Sequence, residues 1–414
     1  MQGNTFDTLQ LSQEVRKAMT DLGFTEPTPI QAQSIPPILE GKDVIGQAQT
    51  GTGKTAAFGI PILHAMKLHG RKVEALVLCP TRELAVQVSE ELKKLARYRR
   101  DVTIIPVYGG QPIHGQMAQL RRGVRIVVGT PGRTIDHMNR GTLKLGNVRT
   151  VVLDEADEML DMGFLPDMET ILGSTSADRQ TLLFSATMPR PILELARKYQ
   201  KEPTHVNVAP AQLTVPQVEQ TYLQVRPGAK LDVLCRLIDT YQLASSLVFC
   251  NTKRRVDEVA KDLKRLGYQA DRIHGDMTQA ARTKVMTQFR WKQSRILVAT
   301  DVAARGIDVK GIDAVINYDV PRDDQFYVHR IGRTARMGRS GRAFTLVLPS
   351  EMGKLRDIEA YAKTRIRQHP LLSGRNAEGM RRRDPVQATK DTQGTQDTRK
   401  IGKGPHVRLP GRGQ

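Results

Sequence analysis

The chain has 414 residues, with 63 Lys or Arg against 43 Asp or Glu, a formal net charge of +20. At about 100–200 residues per domain, this length predicts two or three domains. A hydrophobic share of 39% with 34 glycines excludes a wholly disordered chain and a small disulfide-stapled one.

The short apolar pair Val44-Ile45 leads into Ala48-Gln49-Thr50-Gly51-Thr52-Gly53-Lys54-Thr55 and then an apolar helix over Ala56–Met66. Strands are expected at Val73–Cys79, Val102–Val107, Val124–Val128, Thr150–Leu153 and Thr181–Phe184. Their continuous apolar runs suit a parallel sheet covered on both faces. Between them the spacing predicts helices, as in Arg82–Leu95, where Leu84, Val88, Leu92 and Leu95 recur every three or four residues. Pro203, Pro210 and Pro216 mark a seam near Glu202–Pro216. A second strand series follows at Val218–Val225, Ser246–Cys250, Gln269–Ile273, Arg295–Ala299, Ala314–Tyr318 and Ala343–Leu348. Two tandem α/β domains are the expectation, over 1–207 and 218–368 with a linker at 208–217. From Pro370 to Gln414 there are ten Lys or Arg, four Asp or Glu and no aromatic residue, so 369–414 is expected to be a disordered basic tail.

No apolar run approaches the ~18 residues of a membrane span, and Met1-Gln2-Gly3-Asn4-Thr5 lacks a charged-then-apolar signal pattern. Cys79, Cys235 and Cys250 form no CxxC pair, which excludes a zinc ribbon and a disulfide framework and fits a cytoplasmic protein. The charge suggests a polyanion, nucleic acid first; composition alone fits a merely soluble basic protein equally well.

The Gly-rich segment has the strand–loop–helix setting of a phosphate loop. Its backbone N–H groups would cradle phosphates, with Lys54 on the β/γ charge and the Thr55 hydroxyl on Mg²⁺. The general pattern opens with Gly where this chain has Ala48. It is the only Gly-Lys-Ser/Thr in the sequence, so no second such loop is expected. Val151-Val152-Leu153-Asp154-Glu155-Ala156-Asp157 ends an apolar strand in carboxylates. Asp154 suits a Mg²⁺ ligand and Glu155 a base for the attacking water. By itself the same segment also reads as an acidic helix start.

Together with further motifs, the series resembles the DEAD-box ATP-dependent RNA helicases of helicase superfamily 2, over roughly residues 6–350. Gly23–Gln31, preceded by Phe6, is similar to the Q motif (about 4–32), which implies adenine contacts from Phe24 and Gln31. Pro80–Ala85, Gly109-Gly110 and Thr130–Arg133 resemble RNA-contacting motifs, implying roles for Thr81, Arg82, Gly110, Thr130, Gly132 and Arg133. In the second half the resemblance extends RNA contact to Asn251, Gly275, Gln279, Arg282 and Thr300, and gives Asp308 a ribose contact. His329–Arg336 resembles the arginine-finger motif, with Arg333 and Arg336 on the γ-phosphate. Ala335 stands where the family usually has glycine; its methyl leaves both arginines in place, and whether it crowds the closed cleft is left open by the sequence. Ser185-Ala186-Thr187, with Asp157 and His329, resembles the apparatus coupling hydrolysis to strand opening. The family implies two RecA-like domains around an ATP/RNA cleft and ATP and Mg²⁺ as cofactors. It also implies RNA-stimulated, non-processive unwinding of short duplexes or remodelling of RNA–protein complexes. Little sequence preference and no stable oligomer are expected. A non-catalytic RNA-binding scaffold and a DNA helicase remain the alternatives.

Overall fold

The computed structural model describes Phe6 and residues 9–49, 51–67, 70–208, 218–304, 311–335 and 340–370. Thr50, Asp308, Arg336, residues 209–217 of the linker and the tail beyond Pro370 lie outside the described residues. The described part belongs to one compact unit built on two seven-stranded sheets.

The first sheet comprises β1 (Val44–Gln47), β2 (Ala75–Leu78), β3 (Ile104–Val107), β4 (Ile126–Gly129), β5 (Thr150–Asp154), β6 (Gln180–Ser185) and β7 (Thr204–Asn207). Their order is β3-β4-β2-β5-β6-β1-β7, every pairing parallel. The second has β8 (Val218–Gln224), β9 (Ser246–Phe249), β10 (Ala270–Ile273), β11 (Ile296–Ala299), β12 (Ala314–Asn317), β13 (Gly341–Val347) and β14 (Arg367–Gln368). Its order, β10-β11-β9-β12-β13-β8-β14, repeats the first strand for strand. No short internal repeat is visible in the sequence, because only the arrangement is repeated.

Successive strand side chains point to opposite faces, and both faces are filled. Val152 of β5 joins one apolar cluster and its neighbours Val151 and Leu153 the other. In β9, Val248 and the pair Leu247 and Phe249 divide in the same way. Each fully buried Val or Leu contributes roughly 1.5–3 kcal/mol over exposure, and continuous apolar strands concentrate that gain in the sheet. Gly46 is required at a close approach: a Cβ there would lie 2.5 Å from the Phe184 ring.

The expected helix Arg82–Leu95 has those bounds. The helix after the Gly-rich loop runs Lys54–Ala65, starting two residues earlier than its apolar pattern. The first part of the proline-marked seam is not a break: Thr204–Asn207 adds to the sheet edge beside β1. Strand β14 has no counterpart among the expected strands; two exposed polar residues carry no hydrophobic signal.

Candidate nucleotide and nucleic-acid cleft

The Gly-rich loop links β1 to the helix Lys54–Ala65. Gly51 and Gly53 adopt φ of 81° and 93°, conformations that strain any residue with a Cβ. Ala48 is fully buried, its N–H donating to the Ser185 carbonyl at 2.9 Å. The Thr52 hydroxyl donates to the Gln49 carbonyl at 2.8 Å, and buried Lys54 folds back to the Ala48 carbonyl at 3.2 Å. Thr55 is partly buried in the first turn of the helix.

Gln31 is tied to this loop. Its amide Nε2 donates to the Gly53 carbonyl at 3.1 Å, while its Oε1 accepts from the Thr28 N–H at 3.0 Å. Phe24 is partly buried and meets Phe6 edge-on, centroids 6.0 Å apart.

Beside the loop, β5 ends in Asp154, and Glu155 turns the chain into the helix Ala156–Asp161 with a left-handed φ of 54°. A bulky residue held there is strained, and such strain gathers at functional sites. Asp154 and Glu155 are 3% and 5% exposed. Burial raises the pKa of both, opposed by the Lys54 ammonium and, for Glu155, by Arg333 of the second lobe. One oxygen of each, Asp154 Oδ1 and Glu155 Oε2, is buried without a hydrogen-bond donor. Leaving buried acceptors unmet costs about 1–3 kcal/mol each. The oxygen-rich donor set suits a hard divalent cation.

Asp157 joins the Ser185–Thr187 segment. Its Oδ2 accepts from the Thr187 N–H at 2.8 Å and hydroxyl at 2.9 Å, and its own N–H donates to Ser185 Oγ at 3.1 Å. His329 pairs instead with Glu158, Nδ1 to Oε1 at 2.8 Å across the lobes.

The residues expected to contact RNA divide. Arg82 Nη1 approaches Gln279 Oε1 at 3.5 Å, Gln279 Nε2 donates to Glu83 at 3.4 Å, and Arg282 pairs with Glu83 at 2.8 Å. These contacts clasp the first lobe to the second. Gly110, with φ of 83°, lies directly against the Arg82 guanidinium. Arg133 donates to the Gln111 carbonyl at 3.2 Å and to Gln116 at 3.3 Å. Thr81 and Thr130 are N-cap residues of their helices, the Thr81 hydroxyl accepting from the Leu84 N–H. Gly132 and Gly275 are exposed, with no atom close to where a Cβ would clash. Thr300 accepts a backbone bond from Ala304.

Asn251 faces inward. It donates to the Val320 carbonyl at 2.8 Å and accepts from Arg330 at 2.9 Å. Arg330, 1% exposed, also reaches Asp301, Asn317 and the Asp319 carbonyl. Nearby, Lys230 opens the helix after β8 and pairs with Asp319 at 3.2 Å and Glu351 at 3.8 Å.

Sequence reasoning left out Glu83, Glu158, Asp301 and Arg330. Glu83 lay within a recognised motif, but its partner, 199 positions away, is fixed only by the fold.

The sequence pattern of DEAD/DEAH box helicases matches residues 28–195, and that of the helicase conserved C-terminal domain matches 229–338. The DEAD-box ATP-dependent RNA helicase CshA of Geobacillus kaustophilus (strain HTA426) is 53% identical over 379 residues, 91% of this chain and 81% of that protein. Among solved structures, S. cerevisiae Dbp5 bound to RNA and ADP BeF3 is similar with a TM-score of 0.79 and 30% identity, covering 89% of this chain and 96% of that one. Mss116p bound to ssRNA and AMP-PNP gives 0.80 at 30% identity, covering 88% and 79%.

Proposed function

This chain belongs to the DEAD-box ATP-dependent RNA helicases, and from that premise we propose how its residues divide the work. The activity is RNA-stimulated ATP hydrolysis coupled to local unwinding of RNA. The assignment of roles rests chiefly on one observation: buried, donor-less oxygens of Asp154 and Glu155 lie in the field of Lys54, and Glu155 also in that of Arg333 from the other lobe.

In this reading Phe24 stacks on the adenine and Gln31 reads its edge, so occupancy of the base pocket bears directly on Gly53. Backbone N–H groups of 49–53 hold the phosphates, while Ala48, whose N–H is given to the Ser185 carbonyl, anchors the loop to the sheet; Lys54 is released from the Ala48 carbonyl to meet the β/γ oxygens. Thr55 and Asp154 would hold Mg²⁺, which when bound neutralises phosphate charge. Glu155 accepts a proton from water as the water oxygen attacks the γ-phosphorus and the bond to the β-phosphate oxygen breaks. Arg333, with Arg336 kept from the sequence reading, offsets the charge that grows on the transferring group. Asp308 is kept for the ribose on the same footing. Asp157, Ser185 and Thr187 tie the acidic turn to the strand end, and His329 through Glu158 ties it to the second lobe.

Arg82, Gly110, Arg133, Gln279 and Arg282 form the RNA groove, joined by Thr81, Thr130, Gly132, Gly275 and Thr300. Mostly they offer charges, helix ends and exposed backbone, which suit sugar and phosphate and predict little sequence preference. Asn251 keeps its proposed RNA contact with the second N–H of its amide, since its bonds to Val320 and Arg330 use one donor and one lone pair and hold the side chain in place. A cytoplasmic location is also proposed; it is supported by the free cysteines. Among the described residues no helix is long and apolar enough to cross a membrane.

The test is phosphate release with RNA, with DNA of matched sequence and with neither. RNA stimulation beyond that of DNA is expected, because 2′-hydroxyls distinguish the two. Equal stimulation favours a DNA helicase, and no release with bound RNA favours the scaffold.

A further inference from the structure

Trp291 is the chain's only tryptophan and is 76% exposed. It joins none of the apolar clusters of either lobe. A large indole left in water calls for an explanation that scattered surface apolar groups do not.

Its setting is cationic. Trp291 caps the C-terminal end of the helix Gln279–Arg290, with Arg290 and Lys292 exposed on either side and Lys292 held at a left-handed φ of 58°. The stretch 278–295 carries five Lys or Arg and no Asp or Glu. Surface helices usually mix signs, as Lys253–Arg265 does with Asp257, Glu258 and Asp262. The first residue of the helix is Gln279, which faces Arg82 and Glu83 in the groove, where Arg282 is paired with Glu83; Lys284 and Arg290 follow toward the indole with no carboxylate partner among the described residues. At 1.5 Å per residue, the helix carries that charge about 18 Å from the groove to the indole.

We propose that this helix and Trp291 form a second RNA-contact site, continuous with the groove, on which a single strand leaving the groove stacks a base. The inference rests on the RNA-groove reading above. Arg290 and Lys292 neutralise phosphates, and the indole face supplies sequence-tolerant stacking. The absence of carboxylates favours a polyanion over a protein surface of mixed charge. The site holds the flank of the substrate while the groove acts on the segment beside it.

The indole itself is the reporter. Trp291 emission is titrated at low salt with a short oligouridylate that fills the groove and with one about twice as long, alongside anisotropy of the same RNAs labelled at one end. The longer RNA is expected to bind more tightly and quench emission, and the short one to bind without quenching. Trp291→Ala should weaken only the longer RNA, roughly 5- to 100-fold, the span of stacking on one aromatic ring. Trp291→Phe should restore most of that affinity, and ATPase stimulated by the short RNA should be unchanged in both variants. Long RNA that binds without altering emission, or Trp291→Ala binding it normally, overturns the proposal. Failure of either RNA to bind overturns the groove reading itself. An RNA-independent, concentration-dependent emission shift with faster sedimentation identifies a protein interface and overturns the site.

Discussion

Replacing Arg282 by Ala tests whether the clasp across the cleft sets the closed state. Arg282 and Glu83 are 2.8 Å apart, and each side chain retains only 8% of its exposure. Burial lowers the Arg282 pKa and the charge of Glu83 opposes that, so Glu83 stabilises a guanidinium that is costly to desolvate. Removing one partner of a buried pair costs about 3–5 kcal/mol because the other charge is left uncompensated. That cost falls on one state alone: when the lobes part, Glu83 regains water and neither sheet loses a core contact. At 1.4 kcal/mol per decade, the lower bound shrinks the closed population roughly 100-fold. The assay is RNA affinity with a non-hydrolysable ATP analogue, beside a thermal melt. Affinity should fall about 100-fold or more while the melt stays nearly constant. Because Arg282 is also proposed as an RNA contact, the decisive arm is the double variant Glu83→Gln/Arg282→Ala. Removing both charges leaves nothing stranded and should recover at least about tenfold of the loss. A double variant as weak as Arg282→Ala refutes the clasp and leaves Arg282 a phosphate contact only.

Glu155→Gln should keep ATP and RNA binding but slow phosphate release about 10²–10⁴-fold, the usual contribution of a general base; near-normal turnover removes the assignment. His329 predicts a proton-linked closure. Burial lowers its pKa, but the Glu158 carboxylate, with Asp157 behind it, outweighs burial and the opposing Arg333, so the net shift is upward from 6.5. The stabilisation it lends the closed state is therefore full below pH 6.5 and is lost as pH climbs through the raised value. Affinity for RNA plus analogue should weaken across that interval, and Glu158→Gln should flatten the dependence; an unchanged slope in that variant excludes the pair. Ala335→Gly should raise the melting temperature by about 1–3 °C, because the left-handed strain of ~1–2 kcal/mol exceeds the ~0.5–1 kcal/mol entropic cost of glycine; a lower melting temperature contradicts this.

That last case shows where sequence reading ran short. The sequence leaves the effect of Ala335 open, and the structure shows its peculiarity in the backbone: φ is 55°. A dihedral leaves no mark in a hydrophobic pattern. Apolar runs do, so the strands from β2 to β6 and the helix Arg82–Leu95 were legible. Polar β7 and β14 gain their place from the neighbouring strand and carried no local signal. The meeting of Lys54 with Asp154 and Glu155 was legible because their chemistry is packed into short segments. The bonds that hold the Asn251 amide, to Val320 and Arg330, had no local signal because a motif match does not say which way an amide faces. Arg330 was passed over because its partners lie at 251, 301, 317 and 319, and convergence over such spans exists only after folding.

The strand-for-strand repetition of the two sheets puts Lys230 in the second lobe where Lys54 stands in the first. Lys54 faces carboxylates that keep unmet oxygens, whereas Lys230 is already neutralised by Asp319 and Glu351. A polyphosphate entering the second socket would have to break those pairs and approach two carboxylates before meeting the ammonium. One copy of the fold is thus held electrically open and its twin is short-circuited. The expected stoichiometry is one nucleotide for both lobes, with the second lobe reaching it from across the cleft through the residues proposed for it, Arg333 with Arg336 and Asp308, in place of its own spent lysine.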